Sequence, residues 1–65
     1  MQPGDLIKVV NPKISRMLQG QDPGLGIIIS VTENMVKVKF FSEGPWRGEI
    51  KPLAKVWVEV INESG

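Results

Sequence analysis

Glu33, Glu43, Glu49 and Glu59 are carboxylates that acid–base chemistry could draw on. Such chemistry needs two titratable groups held over one substrate, with environments that push their pKa values apart. These four fall at turns or at outward strand positions, which makes them a solvated face. The chain has no His and no Cys. The usual base and nucleophile are therefore missing, disulfides cannot form, and the thiolate and imidazole ligands of most zinc and transition-metal sites are absent. Gly24-Leu25-Gly26 has the spacing that begins a dinucleotide fingerprint, but it lacks the third glycine and the helix that follows. It reads instead as a β-turn using glycine for positive φ. The expectation is a non-enzymatic protein without cofactor or metal.

The basic residues raise a second chemistry. Lys8, Lys37, Lys39, Arg47, Lys51 and Lys55 lie on strands or near strand ends. Lys37 and Lys39 share an outward face, and with Arg47 and Lys51 they are candidate phosphate contacts. The competing reading is a solvated wall in which lysines blunt sheet edges. Eight basic and seven acidic residues leave a net charge of +1, far from the basic excess of a dedicated DNA binder. Glu49 and Glu59 interleave with the basic groups, so any nucleic-acid binding is expected to be weak.

The elements that must position these groups are strands. Sixty-five residues make one domain, 1–65, and a chain this short buries only about 60% of the surface its unfolded form exposes. Without disulfide or metal, stability must come from an efficient core or from association. No signal peptide or transmembrane span is read from the sequence, and a cytoplasmic setting is expected. Apolar alternation marks "GDLIKVV", "LGIIISVT", "MVKVKFF", "WRGEI" and "VWVEVI". "ISRMLQG" has room for about one helical turn inside its loop.

A turn at Glu33-Asn34 sets the register of the central hairpin. Val31 then faces Val36, Ile29 faces Val38 and Ile27 faces Phe40 on one side, with Ser30 facing Lys37 and Ile28 facing Lys39 on the other. Asn34 tolerates positive φ, but Glu33 does not favour a type I′ turn. In the last strand Glu59 must face solvent, so Val56, Val58 and Val60 point inward. "KPLAK" carries Pro52 and reads as a 3₁₀ turn that drops Leu53 into the core. The predicted core is Ile27, Ile29, Val36, Val38, Phe40, Val58 and Val60.

The same phases sort the aromatics of "FFSEGPW". Phe40 is core and Phe41 points outward, while Trp46, in phase with Ile50, turns inward. Trp57, Phe41, Met35, Ile61 and Ile28 all fall on outward phases. A contiguous apolar patch marks an interface, so these five are the candidate docking residues, for a protein partner or a second copy in a homo-oligomer. The alternative is that Ile14, Met17 and Leu18 of the long loop fold back over some of them.

Five short strands, a long loop over residues 11 to 23, a tight hairpin and "KPLAK" before the last strand resemble the SH3-like small β-barrel over nearly the whole chain. The opening Gly4-Asp5 and the Gly24/Gly26 pair are most similar to short SH3-like proteins of bacteriophages, including those of cyanobacteria. That resemblance implies a five-stranded barrel acting as an interaction or assembly module, in a virion or in the host cytoplasm. The tail "GEIKPLAKVWVEVIN" also resembles the end of the plasmid-borne type II dihydrofolate reductases. Their catalytic strand reads Val-Gln-Ile-Tyr, where this chain has Gly48, Glu49, Ile50 and Lys51, so the resemblance does not carry that activity. Photosynthetic SH3-like subunits share the "VKVKF" look and act by docking on larger partners. KOW, Tudor and Sm-like barrels share the scaffold and often bind nucleic acid or modified peptides, which is the rival reading. Peptide-binding SH3 domains use paired Tyr residues, and this chain has no Tyr.

Overall fold

The computed structural model describes residues 1–62, so the last three residues of the expected domain lie outside the described part. Five strands, β1 (Leu6–Val9), β2 (Leu25–Val31), β3 (Met35–Phe40), β4 (Ile50–Ala54) and β5 (Val58–Asn62), are joined by one short helix, α1 (Pro12–Met17), and a 3₁₀ turn (Lys55–Trp57). They form a single antiparallel sheet in the order β4-β3-β2-β1-β5. The all-β class follows from the alternation read in the sequence. No helix among the described residues is long and apolar enough to cross a membrane.

Connectivity forces the sheet to curl. β4 and β5 are its two edges, and a flat sheet would hold them about 19 Å apart, four strand spacings. The chain gets from Ala54 to Val58 in four Cα steps, at most about 15 Å when fully extended and less in a 3₁₀ turn. The sheet therefore cannot be flat: it curls enough to bring the start of β5 within reach of the end of β4. On the concave side lie Ile7, Ile28, Val36, Val38, Phe40, Leu53 and Val58, with Val9, Val31, Trp46 and Val60 packed against them.

β3 is the strand the alternation describes best: Val36, Val38 and Phe40 are buried and Met35, Lys37 and Lys39 exposed. The register of its hairpin partner needs correction. Val31 stands opposite Val36 and Ser30 opposite Lys37, as the Glu33-Asn34 turn predicts, but a bulge between Ile28 and Ser30 then shifts the ladder by one residue. Beyond it Ile28, not Ile29, faces Val38, and Gly26, not Ile27, faces Phe40. Ile28 is 1% exposed and leaves the list of outward candidates, while Ile27 and Ile29, predicted as core, are 39% and 42% exposed. Gly26 completes the reason. A Cβ there would run into the Val38 side chain and the Phe40 ring, so Gly26 can sit opposite Phe40 only because it has no side chain. Gly24 too leaves no room for a Cβ, which would meet the Ser42 hydroxyl, and its φ is +99°; Leu25 and Gly26 continue as strand rather than as the expected β-turn. At the hairpin tip Asn34 does not adopt positive φ; the Thr32 hydroxyl instead accepts the Met35 N–H at 3.2 Å.

The second half of the chain differs from the sequence reading by a few residues. The fourth strand is Ile50–Ala54 rather than "WRGEI", and the 3₁₀ turn falls on Lys55–Trp57 rather than on "KPLAK". Pro52 is admitted because β4 is an edge. Phe40 N–H to Glu49 C=O (2.9 Å) and Lys55 N–H to Asn34 C=O (3.0 Å) fix the ladder phase, which puts Pro52, opposite Lys37, where its nitrogen faces the open side. Leu53 is buried, as predicted. Because β5 starts at Val58, Val56 belongs to the turn and is 83% exposed, not core; Val58 and Val60 keep their inward phase.

The long first loop holds α1. Asn11 caps it by accepting the Lys13 N–H at 2.9 Å, and Pro12 occupies its first turn. The chain leaves it through Gln19 and Gly20, both at positive φ. Ile14 is buried, Leu18 half-buried and Met17 exposed, so the loop packs through Ile14.

Candidate functional site

The outward face of β2, β3 and β4 can be built residue by residue from the ladders. Directly opposite residues on neighbouring strands point to the same side. Lys39 stands between Ile27 of β2 and Ile50 of β4, Lys37 between Ser30 and Pro52, and Met35 beside Ala54. Ile29, displaced by the bulge, is exposed beside this set, and Ile50 is 51% exposed, contrary to its predicted inward phase. Phe41 follows Lys39 by two residues, hydrogen-bonds through its N–H to the Leu25 C=O at 3.1 Å, and is exposed at the far end. From Met35 to Phe41 the face runs about 20 Å.

This face joins members of two groups that the sequence treats as rivals. Met35 and Phe41 come from the apolar candidates, Lys37 and Lys39 from the basic ones. Lys37 and Lys39 stand among Ile27, Ile50, Pro52, Met35 and Ser30, with Ile29 beside them. A shallow groove of about 220 Å³ opens on the Met35 end, lined by Ser30, Thr32, Met35, Val36, Lys37 and Pro52.

The remaining candidates are placed elsewhere. Arg47 forms an ion pair with Glu43 at 2.8 Å inside the turn segment. Lys51 stands opposite Val38, hence on the core side of β4. There it pairs with Glu49 at 3.1 Å and lies over the Trp46 ring at 5.2 Å. The four proposed phosphate contacts thus do not form one patch. Trp57 sits on the 3₁₀ turn, where its C=O accepts the Val10 N–H at 2.8 Å, and is 37% exposed. Ile61 is exposed on β5, beside the second irregularity, where Leu6 pairs with Asn62 and Ile7 with Val60. Both lie beyond the β2–β4 face.

Of the aromatics of "FFSEGPW", Trp46 packs inward on Phe40. Its ring meets Phe40 edge-on, with centroids 5.2 Å apart and planes at 70°, the geometry aromatic quadrupoles favour. It is half-buried against the core, and Phe41 is surface. Ser42 secures the loop between them by accepting the Leu25 N–H at 2.7 Å.

Sequence reasoning missed Ile27, Ile29, Ile50 and Pro52 as members of the face. The first two were hidden by the bulge and the last two by the shifted fourth strand. The one signal pointing to them was the run Ile27-Ile28-Ile29, in which alternation cannot decide which residue faces out. Compared with protein-family models, with curated proteins and with solved structures, the chain matches none.

Proposed function

We propose that this chain is a small SH3-like β-barrel that works as a non-enzymatic protein-interaction or assembly module, docking through the outward face of β2, β3 and β4. The barrel reading is supported by the strand order β4-β3-β2-β1-β5, the long first loop and the 3₁₀ turn before the last strand. The curl that brings the end of β4 to the start of β5 supports it too. The resemblance to short phage proteins suggests a virion or host-cytoplasm setting. The observation that carries the function is that exposed Ile27, Ile50 and Pro52 flank Lys37 and Lys39 across the ladders, with exposed Met35 and Ile29 beside them. Scattered exposed apolar residues are ordinary, whereas a continuous apolar face marks a docking surface. A groove beside Met35 offers a seat for one apolar anchor, the feature around which binding energy concentrates.

A photo-crosslinking residue at Ile50, in the cells that make the protein, tests this reading. Adducts at Ile50 that are absent with the same group at Lys13 of α1 support it. Equal labelling from both positions would count against it. Sedimentation over a range of concentrations separates a second copy from a different partner.

A further inference from the structure

We propose that the partner of this face is an acidic, amphipathic protein segment, with carboxylates spaced to meet Lys37 and Lys39 and apolar side chains that cover the isoleucines, rather than a second copy of this chain. The proposal rests on the docking reading above and adds the chemistry of the occupant.

Charge is the deciding observation. Arg47 has Glu43 and Lys51 has Glu49 within ion-pair distance, and Lys8 stands opposite Glu59 across the β1–β5 ladder. Among the described residues Lys13, Arg16, Lys37, Lys39 and Lys55 have no carboxylate at ion-pair distance, and of these Lys37 and Lys39 stand together on one exposed strand face. Across the ladders they face Ser30, Pro52, Ile27 and Ile50, and along β3 they are flanked by Met35 and Phe41. Among the described residues, no carboxylate is paired with either lysine. Two like charges in an apolar surround make a face that is complete only when a partner supplies the opposite charge.

The same observation argues against self-docking. Placing this face on its own two-fold copy brings four ammonium groups together over apolar residues. Like-charge juxtaposition in a desolvated interface is strongly unfavourable. β4 also resists pairing edge to edge, since Pro52 turns no donor to the open side.

Geometry gives the spacing. Lys37 and Lys39 lie two residues apart on a strand, so their Cα atoms are about 6.6 Å apart. Carboxylates four residues apart on a helix are separated by a similar distance, about 6 Å. A helix laid along β3, with its apolar stripe on Ile27, Ile50 and the groove by Met35, brings both kinds of contact into register. Helix on sheet face is a standard layer arrangement.

The experiment uses the full chain and three synthetic helical peptides of one length with a common leucine stripe. The first carries Glu pairs four residues apart, the second Gln in their place, the third Lys. Amide chemical shifts of the protein are followed by nuclear magnetic resonance during titration. The expected result is binding of the Glu peptide, with shifts confined to β2, β3 and β4. Binding to the Gln peptide should be at least about tenfold weaker, and undetectable to the Lys peptide. Lys37→Glu with Lys39→Glu should reverse the order, favouring the Lys peptide, a readout that loss of folding cannot mimic.

Equal binding of the Glu and Gln peptides overturns the proposal, as does self-association of the wild type through the β2–β4 face. Tighter binding to anionic phosphatidylserine vesicles, or to a single-stranded oligonucleotide, than to the Glu peptide also overturns it and assigns the lysines to phosphate. If no peptide binds while Ile50 crosslinks persist, the acidic chemistry is wrong and the docking reading stands; if the crosslinks fail as well, both fall.

Discussion

Ile28 stands opposite Val38 across the β2–β3 ladder, and that pairing decides which isoleucines reach the core and which face outward. Had the hairpin run unbroken from its turn, Ile29 would hold that place and Ile27 would lie against Phe40. The bulge reverses the roles of three consecutive isoleucines without changing their sequence. A one-residue shift in a strand exchanges its two faces.

The pairing predicts opposite costs for adjacent truncations. Ile28→Ala should destabilise by about 2–5 kcal/mol, the range for large-to-small changes in a packed core. Val38→Ala, which removes less, should cost about 1–3 kcal/mol. Ile29→Ala, at an exposed position, should stay within about 0.5 kcal/mol of wild type. Midpoints of urea unfolding followed by circular dichroism decide it. Equal losses at Ile28 and Ile29 would mean that the bulge is misplaced.

Gly26 is the second test of the same register. A methyl group there meets Val38 and Phe40 at distances neither can accommodate without moving. Gly26→Ala should therefore cost about 1–3 kcal/mol by overpacking, although alanine suits an extended backbone as well as glycine does. The thermal midpoint should fall accordingly. An unchanged midpoint would show that the residue is not wedged against the core.

Pro52 guards the β4 edge. Replacing it with Val restores an N–H facing the open side and leaves the ladder to β3 intact. Monomer stability should change by less than about 1 kcal/mol, while self-association should rise, because an unguarded β-branched edge is a template for pairing. Light scattering as a function of concentration reads this out. A Pro52→Val protein as monomeric as the wild type would show that the curl, not the proline, protects the edge.

Nucleic acid should bind weakly. Among the described residues, Lys37 and Lys39 are the two of the four basic candidates that share a face and have no carboxylate partner. Two neutralised phosphates give a slope of log K against log salt of no more than about −1.8 on duplex DNA. Titration with single- and double-stranded oligonucleotides at near-physiological salt should reveal no tight complex. Submicromolar affinity lost with Lys37→Glu and Lys39→Glu would favour the KOW or Sm-like reading.

What the sequence by itself determined was the local alternation. "MVKVKF" has one hydrophobic period and only one way to bury it, so Val36, Val38, Phe40, Lys37 and Lys39 fall where their phase puts them. The same holds for Val58, Glu59, Val60 and Ile61, and for the outward turn of Phe41. Wherever the apolar pattern is continuous, the period carries no information. Ile27-Ile28-Ile29 satisfies either register, and the choice depends on Gly26 lying against Val38 and Phe40, a contact between strands that no window of β2 contains. Pro52 looks like a strand breaker until β4 is known to be the sheet edge, which depends on the order of all five strands. Val56 and Trp57 leave the last strand because the chain must cross from one edge to the other within three residues. Tertiary structure also set Ile27 and Ile50 beside the outward row of β3, and sent Arg47 and Lys51 to carboxylates of their own. Side-chain phase is a property of a strand, whereas the strand's neighbours, its edge and its bulges are properties of the sheet.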